Sequence, residues 1–489
     1  MRIENRVIMN LSRLLKNIDY LGCPTDVNIT SITHDSRKVK HGSLFIALKG
    51  EFEDGYKYIN DAINNGAVAI LANSRPVNIK SDTPILNVSN VRQAMAKIAC
   101  NFFDNPSEKI NLIGVTGTNG KTSVCYLINH ILNDNNFPSG SIGTLGYINS
   151  SNIISTGFTT PESIDLQQIL DTSVKGGLEN IVMEVSSHSI AMHRVDGLNI
   201  DIAIFTNLTP EHLDFHKTME NYLNEKQKMF TRLDKNSDCI INIDDDYSEK
   251  IVLKTKANVI KYGLSSNADV YPINYNLSGE GLTAQISIFK KTINISTTLF
   301  GKYNLYNILA AISAASICGV SPQKIESSLN KPISIPGRLE MIYNQRGKTI
   351  VIDYAHTPDA FENVLHSIAE LEYNKIITVF GCGGNRDVSK RAPMGKIAEK
   401  YSDEVVITSD NPRTENLNKI IDDILIGFQN NNHIVIPDRN DALRYAINNM
   451  KRDSILLVLG KGVENYQEVN GEKIPYNEKK NILKVINES

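Results

Sequence analysis

The segment Gly114-Val115-Thr116-Gly117-Thr118-Asn119-Gly120-Lys121-Thr122 constrains this chain more than any other. An apolar run over residues 110–115 leads into it. After it, Val124, Leu127, Ile128, Ile131 and Leu132 recur at helical spacings of three and four. Strand, glycine-rich turn and helix are together the context that a phosphate-binding loop requires. Glycines let the backbone turn its N–H groups toward phosphate, and the helix N-terminus adds partial positive charge. Lys121 is placed to neutralise β- and γ-phosphates, and the Thr122 hydroxyl to ligate Mg²⁺. The spacing is G-x-x-G-x-x-G-K-T, because valine stands at 115 where the commonest form of the loop begins with glycine. A turn that only happens to precede lysine is the blander reading. Strand, glycines and Lys-Thr together favour nucleotide phosphate.

At 489 residues the chain exceeds one ordinary domain of roughly 100–200 residues, and three are expected. Residues 1–108 mix short apolar stretches with turns and close on a helical pattern and Asp104-Asn105-Pro106. Residues 109–334 alternate strand-like runs (181–185, 202–205, 239–243) with amphipathic helices, which predicts βαβ units and a mainly parallel sheet. Residues 258–299 are rich in β-branched residues and predict a small antiparallel element. Residues 335–489 repeat the α/β rhythm, with strand candidates at 349–352, 376–380, 405–408, 434–436 and 455–459. The fold class expected is α/β in three domains: a small N-terminal unit, a central P-loop parallel sheet and a C-terminal Rossmann-like unit.

The formal net charge of −3 gives no electrostatic reason to expect nucleic acid or an anionic membrane as partner. Arg2, Glu4, Asn5 and Arg6 interrupt any apolar signal core at the start. No run approaches the roughly 20 apolar residues that cross a bilayer. A soluble, cytoplasmic protein without membrane insertion is expected. The six cysteines, Cys23, Cys100, Cys125, Cys239, Cys318 and Cys382, form no CxxC pair. Buried reduced thiols are expected rather than a zinc site or a disulfide framework.

The loop sequence closely resembles that of the Mur ligases and the folylpolyglutamate synthetases. The Mur ligase resemblance continues along the chain: His34-Asp35-Ser36-Arg37, Thr159-Thr160-Pro161-Glu162-Ser163, Glu184-Val185-Ser186-Ser187-His188, Thr206-Asn207-Leu208 and His212-Leu213-Asp214. It goes on through Gly301-Lys302-Tyr303-Asn304, Pro336-Gly337-Arg338, Asp353-Tyr354-Ala355-His356-Thr357-Pro358-Asp359, Phe380-Gly381-Cys382-Gly383-Gly384, Asp410-Asn411-Pro412-Arg413 and Gly460-Lys461-Gly462. The match is to the branch that adds diaminopimelate. It implies an ATP- and Mg²⁺-dependent amide ligase of peptidoglycan synthesis, a monomer, with UDP-MurNAc-dipeptide and meso-diaminopimelate as partners. L-lysine addition on the same scaffold, and a nucleotide-binding regulator without catalysis, stand as alternatives.

The resemblance also implies roles residue by residue. Gly117, Thr118, Asn119, Gly120, Lys121, Thr122, Asn304, Asn307, Arg338 and His356 would face ATP. Thr122, Glu184, His212 and Lys226 would hold Mg²⁺, with Lys226 as a carbamate; Lys121, Glu184, His212 and Lys226 carry the catalytic roles. Lys228 competes with Lys226 on the same predicted helix. Ser36, Thr159, Thr160, Ser186 and Arg194 would contact the UDP-linked substrate, beside the departures Phe158 and Met192. A second amino-acid end carries a carboxylate, which the planar fork of an arginine pairs bidentately. Arg413 resembles that arginine. Arg386, Asp410, Asn411, Gly460 and Glu464 resemble its companions, with Val463 where histidine is common. Pro336-Gly337 is a hinge candidate for closure over the nucleotide.

Overall fold

The computed structural model describes residues 8–22, 26–50, 53–74, 82–149, 152–345, 347–371 and 373–488. Three sheets, each clothed by helices, follow one another along the chain. The first is four parallel strands, Ser31–Thr33, Ser43–Ile46, Ala67–Ala72 and Ile85–Asn87, adjacent in sequence order. The helix Val91–Phe102 lays Met95, Ile98 and Ala99 against Leu44, Ile46 and Leu71. Its apolar residues recur every three or four positions, so one face is buried.

The central sheet has eleven strands. Asn111–Thr116 lies in its middle, parallel to Asn180–Glu184 on one side and Ile202–Phe205 on the other. These strands are covered on both faces, which explains their near-continuous apolar sequence. Asp238–Asn242 and Asn258–Tyr262 extend the parallel part. The antiparallel element begins later than the sequence suggests. Val270–Ser278, Gly281–Ile288 and Lys291–Thr297 form it, while residues 258–262 belong to the parallel sheet. The helix Lys121–Asp134 buries Val124, Leu127, Ile128, Ile131 and Leu132, and packs beside Lys302–Ile317. That second helix is apolar on almost every side, because it runs between its neighbour and the sheet. Each fully buried Leu or Ile there contributes about 1.5–3 kcal/mol.

The C-terminal sheet has six strands, in the order Glu340–Gln345, Lys348–Asp353, Ser454–Leu459, Lys375–Phe380, Glu404–Ile407 and His433–Val435. All pair in parallel except the first, an antiparallel edge strand. A polar hairpin, Tyr466–Val469 with Glu472–Pro475, stands outside it. Among the described residues no helix is long and apolar enough to cross a membrane. Cys100, Cys125, Cys239, Cys318 and Cys382 are free thiols, and Cys23 lies outside the described residues.

Candidate active site

A parallel sheet gathers its ligand groups beyond the carboxyl ends of its strands. Two sheets do so here, and their strand ends face each other across a cavity of about 730 Å³. The phosphate-loop candidate leaves Asn111–Thr116 and enters the helix at Lys121. Gly120 starts that helix at φ +87°, and a Cβ there would meet Asn307 Oδ1 at 2.5 Å. Only glycine suits both demands. Asn207 braces the loop by accepting from the Asn119 amide at 2.8 Å, and Thr206 Oγ1 donates to the Asn119 carbonyl at 2.6 Å. Lys121 arches back over the loop, its Nζ donating to the carbonyls of Gly117 (2.8 Å) and Thr118 (2.7 Å).

Behind the loop lies a compact oxygen cluster. Thr122 Oγ1 donates to Glu184 Oε1 at 2.9 Å, and the Thr144 amide donates to the same oxygen at 2.7 Å. Glu184 is 1% exposed, so each of these donors offsets the cost of burying a carboxylate. Thr144 also lies 3.2 Å from Thr159, while Thr160 Oγ1 donates to the Glu184 carbonyl at 2.8 Å. Thr160 in turn sits 3.3 Å from Ser186 Oγ. The expected Thr159, Thr160, Ser186 and Glu184 thus form one contiguous wall. Arg194 stands at its edge, donating to the Thr160 carbonyl at 3.1 Å, paired with Glu162 at 2.9 Å and stacked on Phe158. The departure at Phe158 therefore supplies the face on which the arginine rests.

Lys226 is 1% exposed, on the helix Met219–Thr231 capped by Thr218. Its Nζ donates to the Gly117 carbonyl at 2.9 Å and lies over the Tyr222 ring. Burial, then the nearby Lys121 charge, hold its amine well below the ordinary lysine range. Lys228 instead pairs with Glu225 at the surface. His212 is on the cavity wall at φ +57°, with its ring 4.6 Å from that of His188. Burial is also the main cause that lowers its pKa.

The C-terminal domain reaches into the same cavity. Arg338 Nη2 donates to Thr122 Oγ1 at 3.0 Å, and its guanidinium lies over Tyr354. His356 Nδ1 is 2.8 Å from the Tyr354 carbonyl. Asp359 accepts from Asn119 Nδ2 at 2.6 Å and from Thr209 Oγ1 at 2.9 Å. Asn307 is on the wall, whereas Asn304 lies behind it, donating to the Phe300 carbonyl and accepting from Asn307 Nδ2. Ser36 is not on this wall; it belongs to the first domain, in a short 3₁₀ turn where Arg37 pairs with Asp35.

The remaining expected residues gather at the carboxyl ends of the C-terminal strands. Asn411 Nδ2 donates to Glu464 Oε2 at 2.8 Å. Gly460, at φ +108°, lets Asp410 approach, because a Cβ there would lie 2.7 Å from Asp410 Oδ2. Arg413 Nη1 donates to the Gly384 carbonyl at 2.8 Å, and its Nε lies 3.2 Å from Glu468. A Cβ on Gly383 would lie 3.0 Å from Arg413 Nη1 and 3.8 Å from Arg386 Cγ. Thr144, Asp359, Glu468 and Lys461 join these clusters without being expected from the sequence, although Asp359 and Lys461 stand inside motifs named above.

Three family models cover this architecture in order. The Mur ligase family catalytic domain matches residues 28–103, the Mur ligase middle domain 115–315, and the Mur ligase glutamate ligase domain 337–462. A UDP-N-acetylmuramoyl-L-alanyl-D-glutamate–2,6-diaminopimelate ligase of Caldanaerobacter subterraneus subsp. tengcongensis is 42% identical over 485 residues, 98% of this chain and 100% of the relative. The chain belongs to the Mur ligase family. A ligase of the same name from Aquifex aeolicus is 40% identical, over 98% of this Mur ligase and 95% of its relative. A solved structure of a diaminopimelate ligase so named superposes with a TM-score of 0.70 at 28% identity, covering 98% of this chain and 99% of the other. A MurF ligase of Thermotoga maritima, solved with ADP, shares the fold at 18% identity and a TM-score of 0.64, covering 94% and 97%.

Proposed function

We propose that this Mur ligase adds meso-diaminopimelate to UDP-MurNAc-L-Ala-D-Glu, with hydrolysis of ATP, in the synthesis of peptidoglycan precursor. The observation that carries this reading is the single cavity in which the phosphate loop, the Glu184 wall and Arg338 of the C-terminal domain converge. The acceptor is supported by the names of the full-length relatives. It is also supported by Arg413, which stands near the carboxyl ends of the C-terminal strands, held by the Gly384 carbonyl and Glu468.

Amide formation from a carboxylate in water is uphill, so the carboxylate must first be activated. Phosphoryl transfer from ATP gives an acyl phosphate, and the amine then displaces phosphate. Positioning and charge neutralisation dominate such chemistry. The loop amides and Lys121 hold the nucleotide phosphates in place. Thr144, Thr159, Thr160 and Ser186 hold the reacting carboxyl end of the UDP-linked substrate, whose uridine end falls to residues 1–108 through Ser36. Arg338 and His356 complete the nucleotide site from the far side, and residues 335–489 bring the amine. The enzyme acts in the cytoplasm as a monomer.

The donor set fits Mg²⁺. Thr122 Oγ1 and the buried Glu184 carboxylate converge, and hard oxygen donors suit this ion. When bound there, Mg²⁺ supplies charge that neutralises the nucleotide phosphates. His212 stands on the same cavity wall as a further donor. Lys226, an amine whose pKa burial depresses, is suited to take up CO₂ as a carbamate, converting a donor of protons into a pair of oxygens.

One observation keeps L-lysine in view as acceptor: Glu468 already compensates Arg413. Product formation should therefore be followed by chromatography with ATP, Mg²⁺ and UDP-MurNAc-L-Ala-D-Glu, offering meso-diaminopimelate or L-lysine. The expected result is product with diaminopimelate, and a loss of kcat/KM of at least about tenfold in Arg413→Ala, as for one lost charged contact. Product with L-lysine alone overturns the assignment of the acceptor. Absence of product with both overturns the ligase reading.

A further inference from the structure

Beneath the candidate acceptor pocket lies a charged side chain that the proposed reaction does not use. Lys461 is 0% exposed, between Gly460 at φ +108° and Gly462 at φ +51°. Its Nζ donates to Asn411 Oδ1 at 3.0 Å and lies 3.2 Å from Glu464 Oε2 and 3.7 Å from Asp410 Oδ1. A fully buried ammonium needs anions around it, and here they are the pocket's own acids.

The same contacts fix the Asn411 amide. Its Oδ1 accepts from Lys461 and from the Glu468 amide (2.9 Å), while its Nδ2 donates to Glu464. Reversing the amide would set NH₂ against two donors, so this face of the pocket has one arrangement. The charges are paired as well. Lys461 stands with Asp410 and Glu464, and Arg413 stands with Glu468.

A pocket in which charges of both signs are paired suits an amino-acid end that carries carboxylate and ammonium together. Without the Lys461 charge, Asp410 and Glu464 lose the cation they share, and the pocket suits a lone ammonium better. We propose that Lys461 is a selectivity-determining positioning residue, whose buried charge makes the pocket prefer a zwitterionic acceptor end over a simple amine. It never touches the acceptor and acts through Asp410, Asn411 and Glu464. This inference rests on the ligase reading above.

The test compares kcat/KM for meso-diaminopimelate and for L-lysine in the full-length enzyme and two variants. Lys461→Gln removes the charge but keeps a donor toward Asn411; Lys461→Met removes both. Thermal unfolding and the KM for ATP are measured alongside. The diaminopimelate-to-lysine ratio is expected to fall roughly tenfold or more in both variants, with the KM for ATP unchanged within about twofold. A shift in Lys461→Gln alone suffices if Lys461→Met does not fold. An unchanged ratio, with both acceptors losing efficiency together, overturns the inference and leaves the ligase reading standing. No turnover by the parent enzyme with either acceptor overturns both.

Discussion

Burial gives Lys226 a chemistry that a surface lysine lacks. An amine held well below the ordinary lysine range is neutral more often than a surface lysine at the same pH, and only the neutral amine attacks CO₂. ¹³C NMR of enzyme equilibrated with labelled bicarbonate should show a carbamate carbon that is missing in Lys226→Met, with activity of that variant reduced at least about 100-fold. Glu415 illustrates the opposite shift. It accepts from both terminal nitrogens of the buried Arg391 and from the Asn385 amide, and the Arg391 contact holds its carboxyl near 2 against an ordinary 4.5. Its unfolded form binds the proton first, so the stability it contributes is complete above about pH 4.5 and is lost as pH falls toward 2. Urea unfolding against pH should show that acid limb flattened in Glu415→Gln. At this scale much was legible: Thr122 and Glu184 stand in recognisable motifs and are found together, as are Asn411 and Glu464. Thr144 was not, because it follows a strand of small residues, Ser139–Gly143, whose pattern carries little apolar periodicity. Glu468 was hidden for another reason: its meeting with Arg413 depends on a hairpin docking 55 positions away in sequence by simple difference of their numbers.

At the scale of elements, the helices Arg439–Asn448 and Glu478–Glu488 are joined through a buried ion pair. Arg439 Nη2 lies 2.7 Å from Glu478, both side chains 1% exposed, and its other contacts are the carbonyls of Ser409 and Leu459. Those carbonyls immediately precede Asp410 and Gly460, so the pair anchors both loops of the candidate acceptor pocket. Breaking such a pair leaves a charge buried and uncompensated, at a cost of about 3–5 kcal/mol. Glu478→Gln should lower stability in urea unfolding by that amount, while Arg444→Ala, which removes an exposed pair with Glu488, should change it by less than about 1 kcal/mol. The core strands were readable from sequence because strands covered on both faces are apolar throughout. The hairpin 466–475 was not, since its outer strand Glu472–Pro475 is exposed along its length. Its Asn470-Gly471 turn, both residues at positive φ, is nonetheless a hairpin signature that periodicity alone overlooks. The edge strand Glu340–Gln345 escaped for the same reason, ending in exposed polar residues.

On the scale of the whole molecule, the C-terminal domain meets the central one across the cavity. Asp359 holds Asn119 and Thr209 across the cavity, and Arg338 holds Thr122. Gly337, at φ +63°, lets the chain turn there, and a Cβ at that position would meet the Val463 amide at 2.8 Å. Asp359→Ala removes two cross-domain hydrogen bonds without opening a core. It should raise the KM for ATP and lower kcat together, about tenfold in kcat/KM, with a melting temperature within about two degrees of the parent. Sequence periodicity separated the α/β units, but cross-domain contacts have no periodic signature, so the meeting of Asp359 with Asn119 had to be seen in three dimensions. The central claim is that a substrate carboxylate is activated by phosphoryl transfer inside this cavity. The direct measurement is mass analysis of phosphate released from ATP when the D-glutamate carboxyl of UDP-MurNAc-L-Ala-D-Glu carries ¹⁸O. Label in the phosphate, dependent on the complete set of substrates, is the predicted result; unlabelled phosphate, which marks hydrolysis of ATP by water, would contradict it.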